Sequence, residues 1–482
     1  MDRLGGHGDG LGGVMREILE RQRAAFMAEL PVPVAVRKDR LKRAAAMVAD
    51  NADALCDALS EDFGHRSREQ SMLTDIAASV APLNHAVRHV ARWMKAERKP
   101  LTFPLGLLGA RGAVEYQPKG VVGIIAPWNF PVNLVVGPLA GVFAAGNRAM
   151  VKTSEYTPTV AALFEELAPR YFAAEELAFV SGGPEAGKAF ASLPFDHLLF
   201  TGATGIAKHI LHAAADNLVP VTLELGGKSP VIFGRSADVA RGTERVALGK
   251  MMNAGQICLA PDYMLVPEEK EGEVIAGLTA AASAMYPSVL ANPDYTAIIN
   301  DRHYQRLTAW IDDARAKGAE VTVVDPAKED FAASNSRKLP LHIIRNATDD
   351  MLVMQEEIFG PVLPVRRYAR IEDAIGEVNR RDRPLALYYF GSDAGERRQV
   401  LDRTISGGAT VNDVIFHVSQ EELPFGGIGP SGMGAYHGEA GFRTFSHARA
   451  LFRQSGLDVA GLAGLKPPYG KRTMIAIKQQ MR

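Results

Sequence analysis

Between Val121 and Leu225 short apolar runs alternate with helix-patterned segments, and this alternation constrains the fold more than any other feature. Val121-Val122-Gly123-Ile124-Ile125-Ala126 is a continuous apolar run of the kind buried on both faces of a parallel sheet. A helical pattern over 133–145 follows, then a strand pattern over 149–152, a helix over 159–171 and a strand over 177–180. A helix after Pro184, a strand over 197–200, a helix over 206–215 and a strand over 219–225 complete the series. Parallel strands need crossover helices, so the segment predicts a doubly wound α/β domain.

A second α/β series starts near Ser229. It holds a helix before Cys258, a strand over 262–266, helices over 271–285 and 303–317, and strands over 321–324 and 385–390. Upstream, residues 15–59 show helical spacing broken at Pro31 and Pro33, which predicts two helices. Pro and Gly bracket strand-like pieces over 100–117, which predicts a hairpin. A chain of 482 residues exceeds one ordinary core, so two or three domains are expected.

Several partner classes are excluded. With 54 basic against 55 acidic residues, no strong field attracts nucleic acid. No apolar run is long enough to span a bilayer, and the N-terminus lacks an apolar signal core. Two cysteines, Cys56 and Cys258, make a disulfide scaffold improbable and fit a reducing compartment, so a cytoplasmic location is expected. Cys56 lies in a helical pattern, where packing explains it. No metal site is assigned.

Cys258, in Asn253-Ala254-Gly255-Gln256-Ile257-Cys258, and Glu224, in Leu223-Glu224-Leu225-Gly226-Gly227-Lys228, carry chemistry. An ionised thiol attacks carbonyls and a carboxylate activates water, so the pair suits formation and hydrolysis of a thioester. Taken singly, a lone Cys is more often a core residue and a lone Glu more often solvated. Trp128 and Asn129, in Ala126-Pro127-Trp128-Asn129-Phe130-Pro131, follow the first buried strand, where open parallel sheets place ligand loops. The Asn129 amide can donate to a developing oxyanion; a proline-braced turn packed on Trp128 is the plainer reading. Lys152 and Glu155 follow the next strand, where they can reach ribose hydroxyls or simply end a strand in solvent. Phe200-Thr201-Gly202-Ala203-Thr204-Gly205 joins strand to helix and offers backbone N–H groups to a pyrophosphate.

These motifs, with Glu356-Glu357-Ile358-Phe359-Gly360-Pro361, follow the order of the aldehyde dehydrogenase superfamily, which the chain resembles from about Arg21 to Gly470. Cys258 to Tyr263, Val411 to Val414 and Ser431 to Gly438 resemble the class 3 branch. Asp62 to Ser67 and His303 to Leu307 resemble bacterial coniferyl aldehyde dehydrogenases.

The resemblance implies a Rossmann-type NAD-binding domain (1–98 and 121–226), an α/β catalytic domain (227–410), small β oligomerisation elements (99–120 and 411–450), a C-terminal tail (451–482) and a homodimer. Cys258 would be the nucleophile, its N–H and Asn129 the oxyanion donors, and Glu224 the base. Trp128, Lys152, Glu155, Gly202, Thr204, Glu357 and Phe359 would bind the cofactor. Glu357 would take the nicotinamide ribose, and Phe359 would lie beside the nicotinamide ring. A carboxylate at Glu155 disfavours a 2′-phosphate and so favours NAD, with NADP left open because class 3 relatives use both. Ala203 and Ala207 stand where the superfamily commonly has Ser and Gly, which bears on cofactor affinity.

The implied reaction oxidises an aromatic, cinnamyl-type or medium-chain aliphatic aldehyde to its acid. An acylating dehydrogenase that passes the thioester to coenzyme A would not need Glu224. A silent structural relative would be expected to have lost Cys258 or Glu224, and a thiol hydrolase would have no use for the dinucleotide motifs. Phe416 and His417 are candidate channel residues, with a packed loop as the alternative.

Overall fold

A computed structural model describes residues 7–103, 105–462 and 464–481. The first α/β series forms a six-stranded sheet in the order Gly432–Met433, Val221–Glu224, His197–Thr201, Val121–Ile125, Arg148–Lys152, Leu177–Val180. All neighbours in it are parallel except Gly432–Met433, which runs antiparallel to Val221–Glu224. Strand order reverses at Val121–Ile125, so the loops leaving it and leaving His197–Thr201 flank the switch point where such sheets bind ligands. Strands such as Val121–Ile125, Tyr263–Pro267 and Ala386–Phe390 form where their patterns predict because each is a buried apolar run between turn residues.

The second sheet has seven strands in the order Glu320–Val324, Leu341–Arg345, Val362–Tyr368, Tyr263–Pro267, Pro230–Phe233, Ala386–Phe390, Gly408–Val411, with the first pair alone antiparallel. Leu341–Arg345, Val362–Tyr368 and Gly408–Val411 escape the sequence pattern. Pro364 and two arginines make Val362–Tyr368 read as a loop, yet Arg366 is neutralised by Glu377 at 2.8 Å and Asp349 at 2.5 Å.

A third, antiparallel sheet joins Glu97–Lys99, Arg111–Pro118 and Ser446–Arg453. The expected hairpin over 100–117 is thus a wider one, and its second strand pairs along its whole length with a strand from near the C-terminus. Pro104 lies outside the described residues.

Three N-terminal helices replace the expected two: His7–Glu29, Val34–Ala49 and Ala52–Phe63. The additional break falls at Asn51, whose side-chain amide donates to the Met47 carbonyl at 2.9 Å and takes up a helix-terminal acceptor. Part of the tail expected after 471 is the helix Lys471–Gln480.

Helix Asn133–Ala145 is apolar on nearly every face and is buried under helices Val34–Ala49, Ala78–Trp93 and Gly438–Thr444. A Cβ on Gly141 would lie 3.0 Å from the Gly441 backbone, so the two helices cross without a side chain between them. Among the described residues no helix is long and apolar enough to cross a membrane.

Candidate active site

Register places the expected site residues of the first sheet on one edge. Ile125 pairs with Lys152 and with Phe200, and Thr201 pairs with Glu224, so the Trp128 loop, Lys152, Gly202 and Glu224 leave the sheet together. The Gly202 N–H donates to the Glu224 carbonyl at 3.0 Å. On the other side of Glu224, Gly432 is its antiparallel partner, and the Leu225 N–H donates to the Ser431 carbonyl at 3.1 Å.

Cys258 follows a turn in which Asn253, Ala254 and Gly255 have φ of 52°, 50° and 74°. A positive φ is costly for Asn and Ala, so the surroundings must hold the turn. They do so at Gly255, where a Cβ would fall 2.4 Å from the Gly360 carbonyl oxygen, and at Asn253, whose N–H donates to Gln70 Oε1 at 2.9 Å. Gln256 Nε2 donates to the Asn253 and Ala297 carbonyls at 3.0 and 3.1 Å, and Gln256 Oε1 accepts from the Ile299 N–H.

Asn129 is locked against this turn. One of its two amide hydrogens goes to the Gln256 carbonyl at 3.1 Å, which leaves the other available. The Asn129 carbonyl accepts from Asn253 Nδ2 at 3.1 Å and from Arg66 Nη1 at 3.0 Å. Arg66 pairs with Asp75 at 2.6 Å, and both side chains are wholly buried. The other oxygen of Asp75 accepts the N–H groups of Val132 and Asn133 at the start of the buried helix. Arg66 and Asp75 are positioning residues that the sequence reading did not assign. Asp75 lies in the π-helical turn Met72–Ala77, and only the fold reveals its partner.

Cys258 opens onto a largely apolar cavity of about 350 Å³ with Phe130, Leu134, Phe425 and Tyr436 on its walls. Burial pushes the thiol up, and the nearby Glu357 and Glu224 carboxylates push in the same direction. The N–H groups of Cys258 and Leu259 work against that shift. Both Glu224 oxygens are buried without a hydrogen-bond partner among the described residues. Desolvation therefore holds the Glu224 carboxyl well above its ordinary range.

Glu357 rests on Gly226, and burial and Asp262 raise its carboxyl to about 8. Its segment is tied to the Glu224 turn by Lys228, whose ammonium contacts Asp262 and donates to the Val353 and Glu356 carbonyls at 2.8 Å each. Asp262 also accepts the Ile358 N–H at 2.8 Å. Phe359, at φ 50°, meets Trp128 edge to face with ring centroids 5.3 Å apart. Lys250, a further unassigned residue, is wholly buried without a partner for Nζ among the described residues, and burial lowers it to about 8.

The donors present fit a dinucleotide. Glu357 Oε1 is buried without a hydrogen-bond donor among the described residues, and a ribose hydroxyl would supply one. Lys152 Nζ and Glu155 lie 3.1 Å apart. Helix Thr204–Ala215 begins after Ala203 without a side-chain cap, so its first N–H groups are available to an anion. The Thr204 hydroxyl is already engaged, donating to the Pro430 carbonyl at 3.1 Å, so only its backbone N–H is open to such an anion. Phe416 lines the cavity, whereas His417 turns away to a 2.9 Å hydrogen bond with Thr410 Oγ1. Cys56 is a core residue of helix Ala52–Phe63.

Known proteins match this arrangement along most of the chain. The model described as the aldehyde dehydrogenase family matches residues 15–451. The chain is 55% identical over 459 residues to a probable coniferyl aldehyde dehydrogenase of Caulobacter vibrioides, with 95% of each protein covered. It is 55% identical over 453 residues to a coniferyl aldehyde dehydrogenase of Pseudomonas sp. strain HR199, covering 94% of this chain and 93% of that protein. Among solved structures, the substrate-bound state of Staphylococcus aureus AldH superposes with a TM-score of 0.89 at 34% identity, covering 97% of this chain and 99% of that one. Motif order, site geometry and these matches agree that the chain belongs to the aldehyde dehydrogenase family and is an NAD(P)-dependent oxidoreductase acting on aldehydes.

Proposed function

We propose that this enzyme oxidises cinnamyl-type aromatic aldehydes, of which coniferaldehyde is the model, to the free acids, with NAD preferred over NADP. The observation that carries the reading is Cys258 opening onto an apolar cavity while two buried carboxylates, Glu224 and Glu357, lie within electrostatic reach of its sulfur. The coniferyl names of two relatives at 55% identity support the substrate class.

Cys258 Sγ attacks the aldehyde carbon, and the free Asn129 amide hydrogen with the Cys258 N–H holds the oxyanion. Bound NAD supplies the two-electron acceptor. Glu357 and Lys152 would hold its ribose hydroxyls, Trp128 and Phe359 would flank its ring, and Gly202 and the Thr204 N–H would receive its pyrophosphate. Glu155, which is exposed, repels a 2′-phosphate. Once the adduct has become a thioester, Glu224 takes a proton from water, the hydroxide attacks the acyl carbon, and Cys258 leaves as the thiolate. A carboxyl held high by burial is a stronger base once ionised. Glu224 thus supports hydrolysis over transfer to coenzyme A.

The separate sheets support a division into 1–98 with 121–226, 227–410, and 99–120 with 411–450, although Gly432–Met433 joins the first sheet. Ser446–Arg453 is exposed on both faces, with Leu451 and Phe452 outside on opposite sides, which supports a homodimer, and the free cysteines support a cytoplasmic location. The deciding experiment measures NADH or NADPH formation from coniferaldehyde, benzaldehyde and hexanal. Coniferaldehyde with NAD is expected to give the highest kcat/KM; a higher value for hexanal overturns the substrate class.

A further inference from the structure

The aldehyde cavity has polar groups at intervals along an otherwise apolar wall, and most are already satisfied. Thr74 donates to the Gln70 carbonyl at 2.8 Å, and Ser419 donates to the Phe416 carbonyl at 2.9 Å. Arg245 and Asp413 face one another at 3.7 Å. Tyr436 stands within electrostatic reach of Cys258 and Glu224, so its hydroxyl belongs to the reacting end.

Glu421 is different. It lines the same cavity and is half-buried; the Gly438 N–H donates toward its carboxyl, and no cation pairs with it among the described residues. Burial raises its carboxyl to about 7, while the Gly438 N–H favours its ionised form. Tyr436 lies within electrostatic reach of Glu421 as well as of Cys258, and all three line the cavity. A carboxylate left unpaired in an apolar cavity is costly, and a ligand hydroxyl removes that cost. Its neighbour Glu422 points outward, with 64% of its side chain exposed.

We infer that Glu421 is a specificity-determining residue that accepts a hydrogen bond from the phenolic 4-hydroxyl of the substrate, at the end of the cavity away from the Cys258 sulfur. The inference rests on the aromatic-aldehyde reading above. A 4-hydroxycinnamyl aldehyde is a rigid conjugated rod with its carbonyl at one end and its hydroxyl at the other. Phe130, Leu134 and Phe425 offer it an apolar bed in the cavity that Cys258 and Glu421 both line. A site built for a hydroxyl rejects the analogue that lacks one, because its own polar group is then stranded.

The test compares coniferaldehyde with unsubstituted cinnamaldehyde in the wild type, Glu421→Gln, Glu421→Ala and the control Glu422→Ala. The wild type is expected to favour coniferaldehyde in kcat/KM by about tenfold or more, the scale of one hydrogen bond to a charged group. Glu421→Ala should erase most of that ratio, Glu421→Gln should keep part of it, and Glu422→Ala should retain it. A ratio that survives Glu421→Ala, or one lost equally in Glu422→Ala, overturns the inference while leaving the aromatic reading intact. Oxidation of hexanal but of neither cinnamyl aldehyde overturns the aromatic reading, and this inference with it.

Discussion

The Glu357 carboxylate sits against the backbone of Gly226, where an added Cβ would lie 2.2 Å from each of its oxygens. The turn that follows Glu224 and the segment that carries the ribose ligand therefore share one seat, and only glycine leaves room for both. Gly226→Ala is expected to displace Glu357 and weaken NADH binding about tenfold, the scale of one charge-assisted hydrogen bond. A fluorescence titration measures this, with a thermal melt to confirm folding. An unchanged dissociation constant would remove Glu357 from the ribose site.

Glu224→Gln should release one equivalent of NADH per Cys258 and then stall, because the amide cannot take a proton from water. Stopped-flow absorbance resolves the burst, and full steady-state turnover by the variant would exclude Glu224 as the essential base. Cys258→Ala should show neither burst nor turnover while still binding NADH.

The wholly buried Arg66–Asp75 pair braces both the Asn129 loop and the start of helix Asn133–Ala145. Arg66→Met strands a carboxylate and should cost about 3–5 kcal/mol in urea unfolding. Arg66→Met with Asp75→Leu should cost less than the single change, since no charge is then left unpaired. Additive losses would show the two groups to be uncoupled.

His197 accepts from Lys119 Nζ at Nδ1, 2.9 Å away, and its Nε2–H donates to Thr222 Oγ1 at 2.9 Å, so the ring is neutral. Burial, assisted by the Lys119 charge, lowers it to about 3. The unfolded chain therefore binds a proton near pH 6.5 that the folded chain refuses, and stability falls as pH drops from 6.5 toward 3. The loss from this residue at pH 5 is about 2 kcal/mol. The difference in urea stability between pH 7 and pH 5 should shrink in His197→Gln; an identical difference would place the acid sensitivity elsewhere.

The sequence announced elements whose pattern is local. Helix Asn133–Ala145 and strand Leu177–Val180 have the bounds their periodicity implies, since a buried run between turn residues has one reading. Val362–Tyr368 was hidden because Arg366 is neutralised by Glu377 and Asp349, partners that no local pattern announces. The same division holds in the site. Cys258, Glu224 and Asn129 stand in recognisable motifs, whereas Asp75 matters only because Arg66 is folded onto it. Glu421 escaped because a carboxylate in Ser-Gln-Glu-Glu reads as solvent-facing, and the cavity wall alone distinguishes it from Glu422.

Gly432–Met433 borders the strand that ends in Glu224, although the five parallel strands of that sheet are complete far earlier in the chain. A nascent chain on the ribosome can assemble a nucleotide-holding edge long before the segment flanking its base has been synthesised. The edge beside Glu224 is thus closed by residues about 200 positions later in the sequence than the strand they border.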